Sequence, residues 1–395
     1  MSEQRFHVIG MTDDQSGTFS AEILQLMGRG KVFSGGKRHH EIVASLLPED
    51  AVWIDITVPL DKVFSQYEAY AEIIVFASGD PLFFGFANTL KKRLPNAWMR
   101  VYPVFNSLQT LAHRLVLPYH DMRTVSLTGR PWQNLDEALI RGDKLIGALT
   151  DREKTPSRIA ARMLEYGYDN YRMTVGVHLG NKQAEEVHTL PLDEVIGREF
   201  GFPNCLILEQ IYQRERLFGI PESSFYLLNG RENMITKSPI RLQALSMLDL
   251  HQKHTFWDIG FCTGSVSIEA KLQFPHLQIH AFECRPEGET LINLNTRKFG
   301  TPGIEYHIGD FMELDLSDLP APDAVFIGGH GGKLTEMLQK IDRYLLPGGC
   351  IVFNSVSENS LHIFREGIEA IDRRIDNEIS ITVDSYNPIT IIKAI

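Results

Sequence analysis

The feature that most constrains the fold is a short apolar strand pattern that runs into a glycine-containing turn and then into a helical pattern. Residues 254–261 are aromatic and β-branched enough for a strand, and apolar residues recur at four-residue spacing from Val266 to Phe274. Gly260 and Gly264 lie in the turn, where the absence of a Cβ lets a ligand approach the backbone. The helix N-terminus offers unpaired N–H groups to polar ligand atoms. The segment therefore predicts a βα unit that holds a nucleotide-like cofactor at its turn.

The turn fits S-adenosylmethionine (SAM) better than a dinucleotide. A dinucleotide fingerprint has the form Gly-x-Gly-x-x-Gly, and Cys262 and Ser265 stand where its second and third glycines would be. A NAD-dependent oxidoreductase on the same type of sheet, and a βα turn without any ligand, are the alternatives. The pattern present instead is the Asp-x-Gly-x-x-Thr-Gly form of SAM-dependent enzymes, and its defined positions are Asp258, Gly260, Thr263 and Gly264.

Alternating strand and helix patterns continue from residue 254 to residue 395. Five strand patterns are separated by helical patterns, which predicts parallel strands joined by helical crossovers. The last two strand patterns are joined by Asn387-Pro388, a connection too short for a crossover, so we expect an antiparallel pair. The predicted fold class is α/β, with a seven-stranded, doubly wound, Rossmann-like sheet formed by residues 254–261, 278–284, 304–310, 323–329, 350–356, 378–385 and 389–395.

A separate α/β region precedes this sheet. Strand patterns recur between residues 6 and 210, and a break near Leu117-Pro118 divides them into two groups. The charged, mixed segment that follows is the candidate linker. The sequence predicts a first domain at 1–210 with subdomains of about 1–117 and 118–210, a linker at 211–222 and a second domain at 223–395.

Composition limits the compartment and the partners. Hydrophobic residues make up 43% and charged residues 23% of the sequence, as in a soluble globular protein. The formal net charge of −11 has no compensating run of Lys or Arg, which argues against nucleic acid or an anionic membrane as a partner. The 4 cysteines form neither a close pair nor a zinc pattern, and no apolar run is long enough to span a membrane. We expect a cytoplasmic protein without a metal site.

Two acidic residues end the next two strands, where a SAM site needs them. Glu283 follows Gly264 by about 20 residues, the spacing of an acid that accepts hydrogen bonds from ribose hydroxyls. Asp310 ends the third strand, where a carboxylate can accept a hydrogen bond from the adenine amino group. The carboxyl ends of parallel strands meet at one edge of an open sheet, so we expect one site. Taken singly, each acid is equally consistent with an exposed turn residue.

A glycine-rich loop and a basic segment complete the predicted site. Four glycines occur within residues 328–332, and such a loop either adopts positive-φ turns or lies against a ligand. Lys237 and Arg241 precede the sheet and offer positive charge to an acidic substrate, although an ordinary helix start has the same residue types. The candidate cofactor contacts in this loop are Gly328 and Gly329, and the candidate substrate contacts are Lys237, Arg241 and Gly331.

Three elements of the C-terminal half carry a resemblance to a known family. They are Thr-Lys-x-x-x-Arg from Thr236, Asp-Ile-Gly-x-x-Thr-Gly-Ser-x-Ser-Ile-Glu-Ala from Asp258, and Phe-Ile-Gly-Gly-x-Gly-Gly from Phe326. Together they resemble the C15-methylating, decarboxylating domain of corrin biosynthesis, a class I SAM-dependent methyltransferase. Cys262 departs from this family, which usually has glycine at that position.

The N-terminal half is similar to the tetrapyrrole methylase family, the structurally distinct class III methyltransferases. Its strongest motif is Gly79-Asp80-Pro81-Leu82-Phe83-Phe84-Gly85, with Val8-Ile9-Gly10 and Leu127-Thr128-Gly129-Arg130 in support. Two departures stand out, because the loop at 11–17 lacks the family's Gly-Pro-Gly and Asn106-Ser107 replaces a common Ser-Ser pair. The similarity implies a cofactor site that includes Gly10, Gly79, Asp80, Pro81 and Phe84.

The two resemblances together imply an enzyme of cobalamin biosynthesis with one SAM site in each domain. The N-terminal domain would methylate C5 of an anionic precorrin macrocycle. The C-terminal domain would methylate C15 and remove the carboxyl group of the ring C acetate, giving a precorrin-8 type product. Metal-free and cobalt-bearing macrocycles both remain open, and we expect a homo-oligomer.

Methyl transfer from a sulfonium requires alignment and exclusion of water, so positioning groups are expected rather than a nucleophile triad or a metal. A non-catalytic tetrapyrrole-binding protein is the remaining alternative.

Overall fold

Three β-sheets organise the residues that the computed structural model describes, which are 4–14, 18–231, 233–384 and 386–395. These residues form two compact units. The first unit comprises the chain up to Arg130 with Lys144–Ala160 and Tyr171–Gln210, and the second comprises Pro131–Asp143, Ala161–Asn170 and Ile211–Ile395. Of the atypical first loop at 11–17, residues 15–17 lie outside the described residues. The α/β fold class is confirmed.

The first sheet belongs to the first unit and is entirely parallel. Its strands are β1 (Arg5–Met11), β2 (Val32–Gly35), β3 (Val52–Asp55), β4 (Glu72–Ser78) and β5 (Trp98–Tyr102), in the order β3-β2-β4-β1-β5. The helices in this part of the chain are α1 (Ala21–Arg29), α2 (Lys37–Val43), α3 (Asp61–Tyr67), α4 (Phe86–Arg93) and α5 (Ser107–Arg114), of which α5 packs against the second sheet. Strands β1 and β4 are nearly continuous apolar runs because both of their faces are buried.

Helix α5 explains one departure from the family pattern. Asn106 caps this helix, since its Oδ1 accepts a hydrogen bond from Gln109 N at 2.9 Å and Gln109 Oε1 accepts one from Asn106 N at 3.0 Å. Asparagine is among the best residues for this reciprocal cap. The residue that replaces serine therefore still starts the helix.

The second sheet is mixed. Its strands are β6 (Arg123–Ser126), β7 (Leu145–Leu149), β8 (Tyr171–Val177), β9 (Glu186–Pro191) and β10 (Asn204–Gln210), in the order β6-β7-β10-β8-β9. Only β6 and β7 pair in parallel. The helices in this part of the chain are α6 (Gln133–Arg141), α7 (Pro156–Glu165) and α8 (Leu192–Val195), of which α6 and the second part of α7 belong to the second unit. The edge strand β9 was not predicted, because its residues are largely exposed and carry no apolar run.

The third sheet has seven strands in the second unit. They are β11 (Thr255–Ile259), β12 (Gln278–Glu283), β13 (Ile304–Ile308), β14 (Ala324–Ile327), β15 (Cys350–Ser355), β16 (Ile375–Ile381) and β17 (Ile389–Ala394). The order is β13-β12-β11-β14-β15-β17-β16, and β17 runs antiparallel to both neighbours. The helices are α9 (Ser238–Leu248), α10 (Ser265–Gln273), α11 (Glu287–Phe299), α12 (Leu334–Asp342) and α13 (Glu358–Ala370).

The bounds of one strand were predicted wrongly. Strand β16 ends at Ile381 and not at residue 385, because Asp384 has a positive φ of 51° that breaks the extended backbone before the turn. In the described part of the chain, no helix is long and apolar enough to cross a membrane.

Strand β11 is buried on both faces, and its alternation decides where each side chain lies. Trp257 and Ile259 belong to one apolar core, whereas Phe256 belongs to the core on the other face. Successive side chains of a strand point to opposite faces, so Asp258 lies on the side of Phe256. On that side its Oδ2 accepts hydrogen bonds from the amide and hydroxyl of Ser267 in α10, at 3.1 and 2.5 Å.

Candidate active sites

The second unit contains a cavity of about 520 Å³ at the carboxyl ends of its central parallel strands. The turn after β11, the ends of β12 and β13, the loop after β14 and the end of β15 all contribute to it. Among the predicted cofactor residues, the structure brings together Gly260, Glu283, Asp310, Gly328 and Gly329, and Gly331 of the predicted substrate contacts lies with them.

Two glycine-containing turns meet at the floor of this cavity. Gly260 has a φ of 79°, and a Cβ at this position would lie 2.7 Å from the backbone nitrogen of Gly329. No side chain can be accommodated at that distance, and the positive φ disfavours one in any case. The close approach leaves backbone surface facing the cavity, as a ligand-binding turn requires.

Cys262 occupies a position that favours glycine. Its φ is 50°, in the left-handed region that glycine adopts more readily than residues with a Cβ. Its amide donates a hydrogen bond to Glu283 Oε2 at 2.9 Å, and its thiol donates one to the carbonyl oxygen of Met234 at 3.0 Å. Burial raises the pKa of this thiol to about 11, so it stays protonated. The thiol therefore anchors the turn and is not a nucleophile.

Glu283 lies at the end of β12 and is 2% exposed. Its Oε1 accepts hydrogen bonds from the amide and the guanidinium of Arg285, each at 3.0 Å. Gly288 makes room for it, because a Cβ there would lie 2.7 Å from Glu283 Cγ. The carboxylate is thus held beside the cavity by Arg285 and by the Cys262 amide.

Asp310 follows β13 and is held by a cation that sequence reasoning missed. Its Oδ2 lies 2.5 Å from Lys333 Nζ, and its Oδ1 accepts a hydrogen bond from Met312 N at 2.9 Å. The Lys333 ammonium holds the pKa of this carboxyl below its usual range, so it is ionised at neutral pH. Lys333 lies just after the glycine-rich loop, and its position there was the available signal.

The glycine-rich loop after β14 fixes the orientation of a histidine. Gly331 and Gly332 have φ values of 56° and 84°, and Gly332 N donates a hydrogen bond to His330 Nδ1 at 3.2 Å. A backbone N–H can only donate, so the proton of the neutral ring lies on Nε2. Burial lowers the pKa of His330, which keeps the ring neutral.

Asn354 is a cavity residue that the sequence did not reveal. It lies near the end of β15, is 9% exposed, and its Oδ1 has no hydrogen-bond partner among the described residues. A buried polar group without a partner is costly, and such groups concentrate at functional sites. The available signal was a polar residue at the end of the apolar run Ile351-Val352-Phe353.

Two predicted substrate contacts are corrected by the structure. Arg241 is completely buried. Its guanidinium donates hydrogen bonds to Glu269 Oε2 at 3.1 Å and to the carbonyl oxygens of Thr236 and Ile220. Its role is structural, so its prediction as a substrate contact is wrong. Lys237 does not line the cavity either. Its ammonium lies 4.8 Å from the centre of the Tyr386 ring.

Three residues of the Asp-x-Gly-x-x-Thr-Gly pattern also lie outside the cavity lining. Asp258 faces α10, Gly264 starts that helix with a φ of 76°, and Thr263 is 1% exposed. Burial raises the pKa of Asp258 to about 7. These residues lie in the turn and the helix behind it, whereas Gly260, Phe261 and Cys262 line the cavity.

The first unit contains a larger cavity of about 890 Å³. Of the predicted cofactor residues, Gly79, Asp80 and Phe84 line it, whereas Gly10 and Pro81 do not. Gly10 instead lets the Gly79 turn approach β1, because a Cβ at Gly10 would lie 2.6 Å from the carbonyl oxygen of Gly79. Gly79 has a φ of 62°, and its amide donates a hydrogen bond to the carbonyl oxygen of Met11 at 2.6 Å.

Phe84 and Asp80 shape the turn that follows Gly79. Asp80 Oδ1 accepts a hydrogen bond from Leu82 N at 2.9 Å. Phe84 has a positive φ of 54°, and the Arg130 guanidinium lies 4.8 Å from the centre of its ring. Non-glycine residues held in this backbone region cluster at ligand-binding and catalytic sites.

A charged cluster in this cavity was also missed. Asp13 is 7% exposed and pairs through Oδ1 with Arg38 at 2.9 Å and through Oδ2 with His178 Nδ1 at 3.0 Å. His39 and Ser78 lie in the same lining, joined by a hydrogen bond of 2.9 Å. Burial, followed by the charge of Arg38, lowers the pKa of His39 to about 4. No local pattern could have joined Asp13 to His178 across the intervening sequence.

Comparison with known proteins identifies relatives of both the whole chain and part of it. The family model described as a precorrin methyltransferase domain matches residues 228–382. Precorrin-6Y C(5,15)-methyltransferase [decarboxylating] of a Sinorhizobium species is 31% identical over 353 residues, which cover 89% of this chain and 84% of that protein. Cobalt-precorrin-6B C(15)-methyltransferase (decarboxylating) of Salmonella typhimurium is 39% identical over 135 residues, or 34% of this chain and 69% of that protein.

Solved structures include a crystal structure of precorrin-6y C5,15-methyltransferase from Geobacter metallireducens. It is 34% identical in sequence and has a TM-score of 0.41. The match covers 45% of this chain and 96% of that one.

Proposed function

This chain belongs to the family of decarboxylating precorrin-6Y C5,15-methyltransferases, and we propose that it methylates C5 and C15 of a precorrin macrocycle and decarboxylates the ring C acetate. The product is a precorrin-8 type intermediate of cobalamin biosynthesis. The alignment spans most of both chains, which supports a bifunctional enzyme over one that catalyses a single step.

The two activities are divided between the two domains. We assign C5 methylation to the domain at 1–210, and C15 methylation with decarboxylation to the domain at 223–395. The family model at 228–382 supports the second assignment. The relative named as a C(15)-methyltransferase supports the division, because that shorter protein matches only 34% of this chain.

The strongest support for the proposal is that residues at the ends of several strands line one cavity in the second unit. A turn closed by Gly260 and Gly329 leaves no room for a Cβ, and the carboxylates of Glu283 and Asp310 lie at the ends of the next two strands. Backbone approach and two acceptor groups are what the amino-acid, ribose and adenine parts of SAM need. Bound SAM supplies an electrophilic methyl group.

A second SAM site in the first unit is proposed at the Gly79 turn. Gly79, Asp80 and Phe84 line the cavity, and Gly10 allows their turn to approach β1. The volume of about 890 Å³ suits a cofactor together with part of a large substrate. One SAM molecule per unit is therefore expected.

The groups beside the proposed cofactor positions contact the macrocycle in the second unit. Glu283 and Asp310 follow β12 and β13, whereas the glycine-rich loop and Asn354 lie at β14 and β15 on the other side of β11. We assign His330, Gly331 and Asn354 to the macrocycle. Their contribution is orientation of the reacting carbon and exclusion of water.

The direct test uses the full chain with SAM and a precorrin-6 type substrate, supplied both without metal and with cobalt. Mass spectrometry should show the gain of two methyl groups and the loss of one CO₂. Tight macrocycle binding without any methyl gain would overturn the proposal in favour of a binding protein. Transfer of a hydride between the macrocycle and bound NAD would favour an oxidoreductase instead.

A further inference from the structure

The two proposed methylations differ in the proton that each must handle. Replacing a ring hydrogen with a methyl group forms a C–C bond, breaks the C–S bond of the sulfonium and releases one proton. Loss of CO₂ from an acetate takes up one proton, because the electron pair left on the methylene carbon becomes a C–H bond. The C15 reaction with decarboxylation is therefore balanced in protons, whereas methylation at C5 needs a group that accepts one.

The cavity of the first unit contains a histidine, His178, whose hydrogen bond to Asp13 suits it to accept a proton. His178 Nδ1 lies 3.0 Å from Asp13 Oδ2, and the second oxygen of Asp13 is held by Arg38 at 2.9 Å. A carboxylate paired with arginine accepts hydrogen bonds, so the ring proton of neutral His178 lies on Nδ1. The lone pair is then on Nε2. A base oriented by a third group is the arrangement that proton-transfer enzymes use.

The surroundings hold this histidine in place. His178 has a φ of 47°, an uncommon conformation for a residue with a side chain, and its amide donates a hydrogen bond to the carbonyl oxygen of Pro203 at 3.0 Å. His178 and Asp13 line the same cavity as Gly79 and Asp80 of the proposed SAM turn.

A second histidine of this cavity is less suited to the task. His39 Nδ1 accepts a hydrogen bond from Gly36 N at 3.1 Å, and its Nε2 faces Ser78 Oγ at 2.9 Å. Both ring nitrogens therefore have protein partners, and proton uptake would break one of these contacts. Among the residues that the structure describes, Nε2 of His178 has no hydrogen-bond partner to lose.

We propose that His178 is the base that removes the proton from the ring carbon methylated in the first unit, with Asp13 as its positioning residue. The inference rests on the proposed function. As the C–C bond to the methyl group forms and the C–S bond breaks, the C–H electron pair returns to the conjugated ring and the proton passes to His178 Nε2.

The first test is His178→Gln in the full chain. The rate of the C5 methyl gain should fall roughly 100-fold to 10,000-fold, the usual contribution of a general base. Loss of CO₂ should continue at the wild-type rate, because it belongs to the second unit and reports that the variant is folded. SAM affinity, measured by calorimetry, should be unchanged.

The matched control is His120→Gln. His120 also has a carboxylate partner, Asp121 at 3.0 Å, but both side chains are exposed and lie outside the cavity lining. Its C5 rate should equal that of the wild type. A His178→Gln variant that keeps the wild-type C5 rate would overturn the assignment of the base. A wild-type chain that never adds the second methyl group would instead overturn the proposed function.

The second test concerns Asp13 and does not depend on turnover. In Asp13→Asn the amide oxygen should turn to Arg38, so that the amide nitrogen donates to His178 Nδ1 and the ring proton moves to Nε2. Nitrogen-15 NMR of labelled histidine should show the proton on Nδ1 in the wild type and on Nε2 in the variant. An NMR spectrum of the wild type that shows His178 Nδ1 without a proton would contradict the proposal, even if His178→Gln failed to fold.

Discussion

The cavities of the two units share one backbone device and differ in their titratable groups. In each unit a turn approaches another backbone segment too closely for a Cβ: the Gly79 turn lies against Gly10 of β1 in the first, and the Gly260 turn lies against Gly329 in the second. The first cavity contains a histidine bonded to a carboxylate, and the second contains His330, bonded to a backbone amide. Close backbone approach thus serves both sites, whereas the proton chemistry depends on the partner at Nδ1.

The two histidines have opposite tautomers. His178 donates from Nδ1 to Asp13, so its Nε2 can accept a proton. His330 accepts at Nδ1 from Gly332, so its Nε2 carries the proton and can donate it. The proposed C5 methylation releases a proton, which His178 Nε2 can accept, whereas the C15 reaction with decarboxylation is balanced in protons and needs no such acceptor.

The largest effect is expected for Gly260→Ala. The new Cβ would lie 2.7 Å from Gly329 N, so the turn must open and SAM affinity in the second unit should fall at least 100-fold, which corresponds to ~2.7 kcal/mol. Calorimetry should then detect one SAM site per chain instead of two. Gly348→Ala is the matched control, because Gly348 also has a positive φ, of 76°, but open space around it. Equal losses in both variants would show that backbone strain, and not the close approach, causes the effect.

A smaller effect is expected for Glu283→Gln. Replacing a carboxylate that accepts hydrogen bonds should weaken SAM binding in the second unit roughly 10-fold to 100-fold, since such bonds contribute about 1.5–3 kcal/mol. Asp258→Asn is the matched control, because Asp258 is a buried carboxylate on the neighbouring strand that does not line the cavity. Its SAM affinity should stay within about 3-fold of the wild type. If Asp258→Asn weakened binding as much as Glu283→Gln, the assignment of Glu283 as the ligand contact would fail.

Asn354→Leu should lower C15 turnover about 5-fold without changing SAM affinity, because it removes a polar contact to the macrocycle worth ~1 kcal/mol. The free energy of unfolding should stay equal or rise by about 1 kcal/mol, since the buried Oδ1 has no partner in the described structure. Asn170→Leu is the control, because Asn170 also has a buried, unpartnered Oδ1 but lies outside both cavities. Normal C15 turnover in Asn354→Leu would remove Asn354 from the substrate side.

The smallest effect concerns the pH dependence of stability. Asp258 keeps its proton in the folded state up to a pKa of about 7, whereas the unfolded chain loses it near 3.8. The unfolded state therefore binds fewer protons between these values, so this group lowers the free energy of unfolding as pH rises through the window. Chemical denaturation from pH 5 to pH 7 should show a steeper decline for the wild type than for Asp258→Asn. Parallel curves would exclude this contribution.

Much of the second site could be predicted because it depends on strand ends. Glu283, Asp310 and the glycine-rich loop follow successive parallel strands, and the fold brings such ends together. Asp258 could also have been placed correctly, since strand alternation puts it on the side of Phe256. Arg241 could not, because the same residue at a helix start can face solvent or pair inward, as it does here with Glu269.

The first site could be predicted only in part. The Gly79 turn is local and was recognised, whereas the pairing of Asp13 with His178 joins a loop after β1 to the end of β8. Nothing in either segment alone indicates the other. Asn354 of the second site could not be predicted either. That its Oδ1 has no hydrogen-bond partner in the described structure becomes evident only when its surroundings are known.

If each cavity carries out its own methylation, product mass spectrometry of two matched variants should separate the two reactions. Gly10→Ala and Gly260→Ala each place a Cβ against backbone, at 2.6 and 2.7 Å, but in different units. Gly10→Ala should still lose CO₂ and gain one methyl group, whereas Gly260→Ala should lose no CO₂. Loss of CO₂ that disappears in Gly10→Ala, or persists in Gly260→Ala, would contradict this separation of the two reactions.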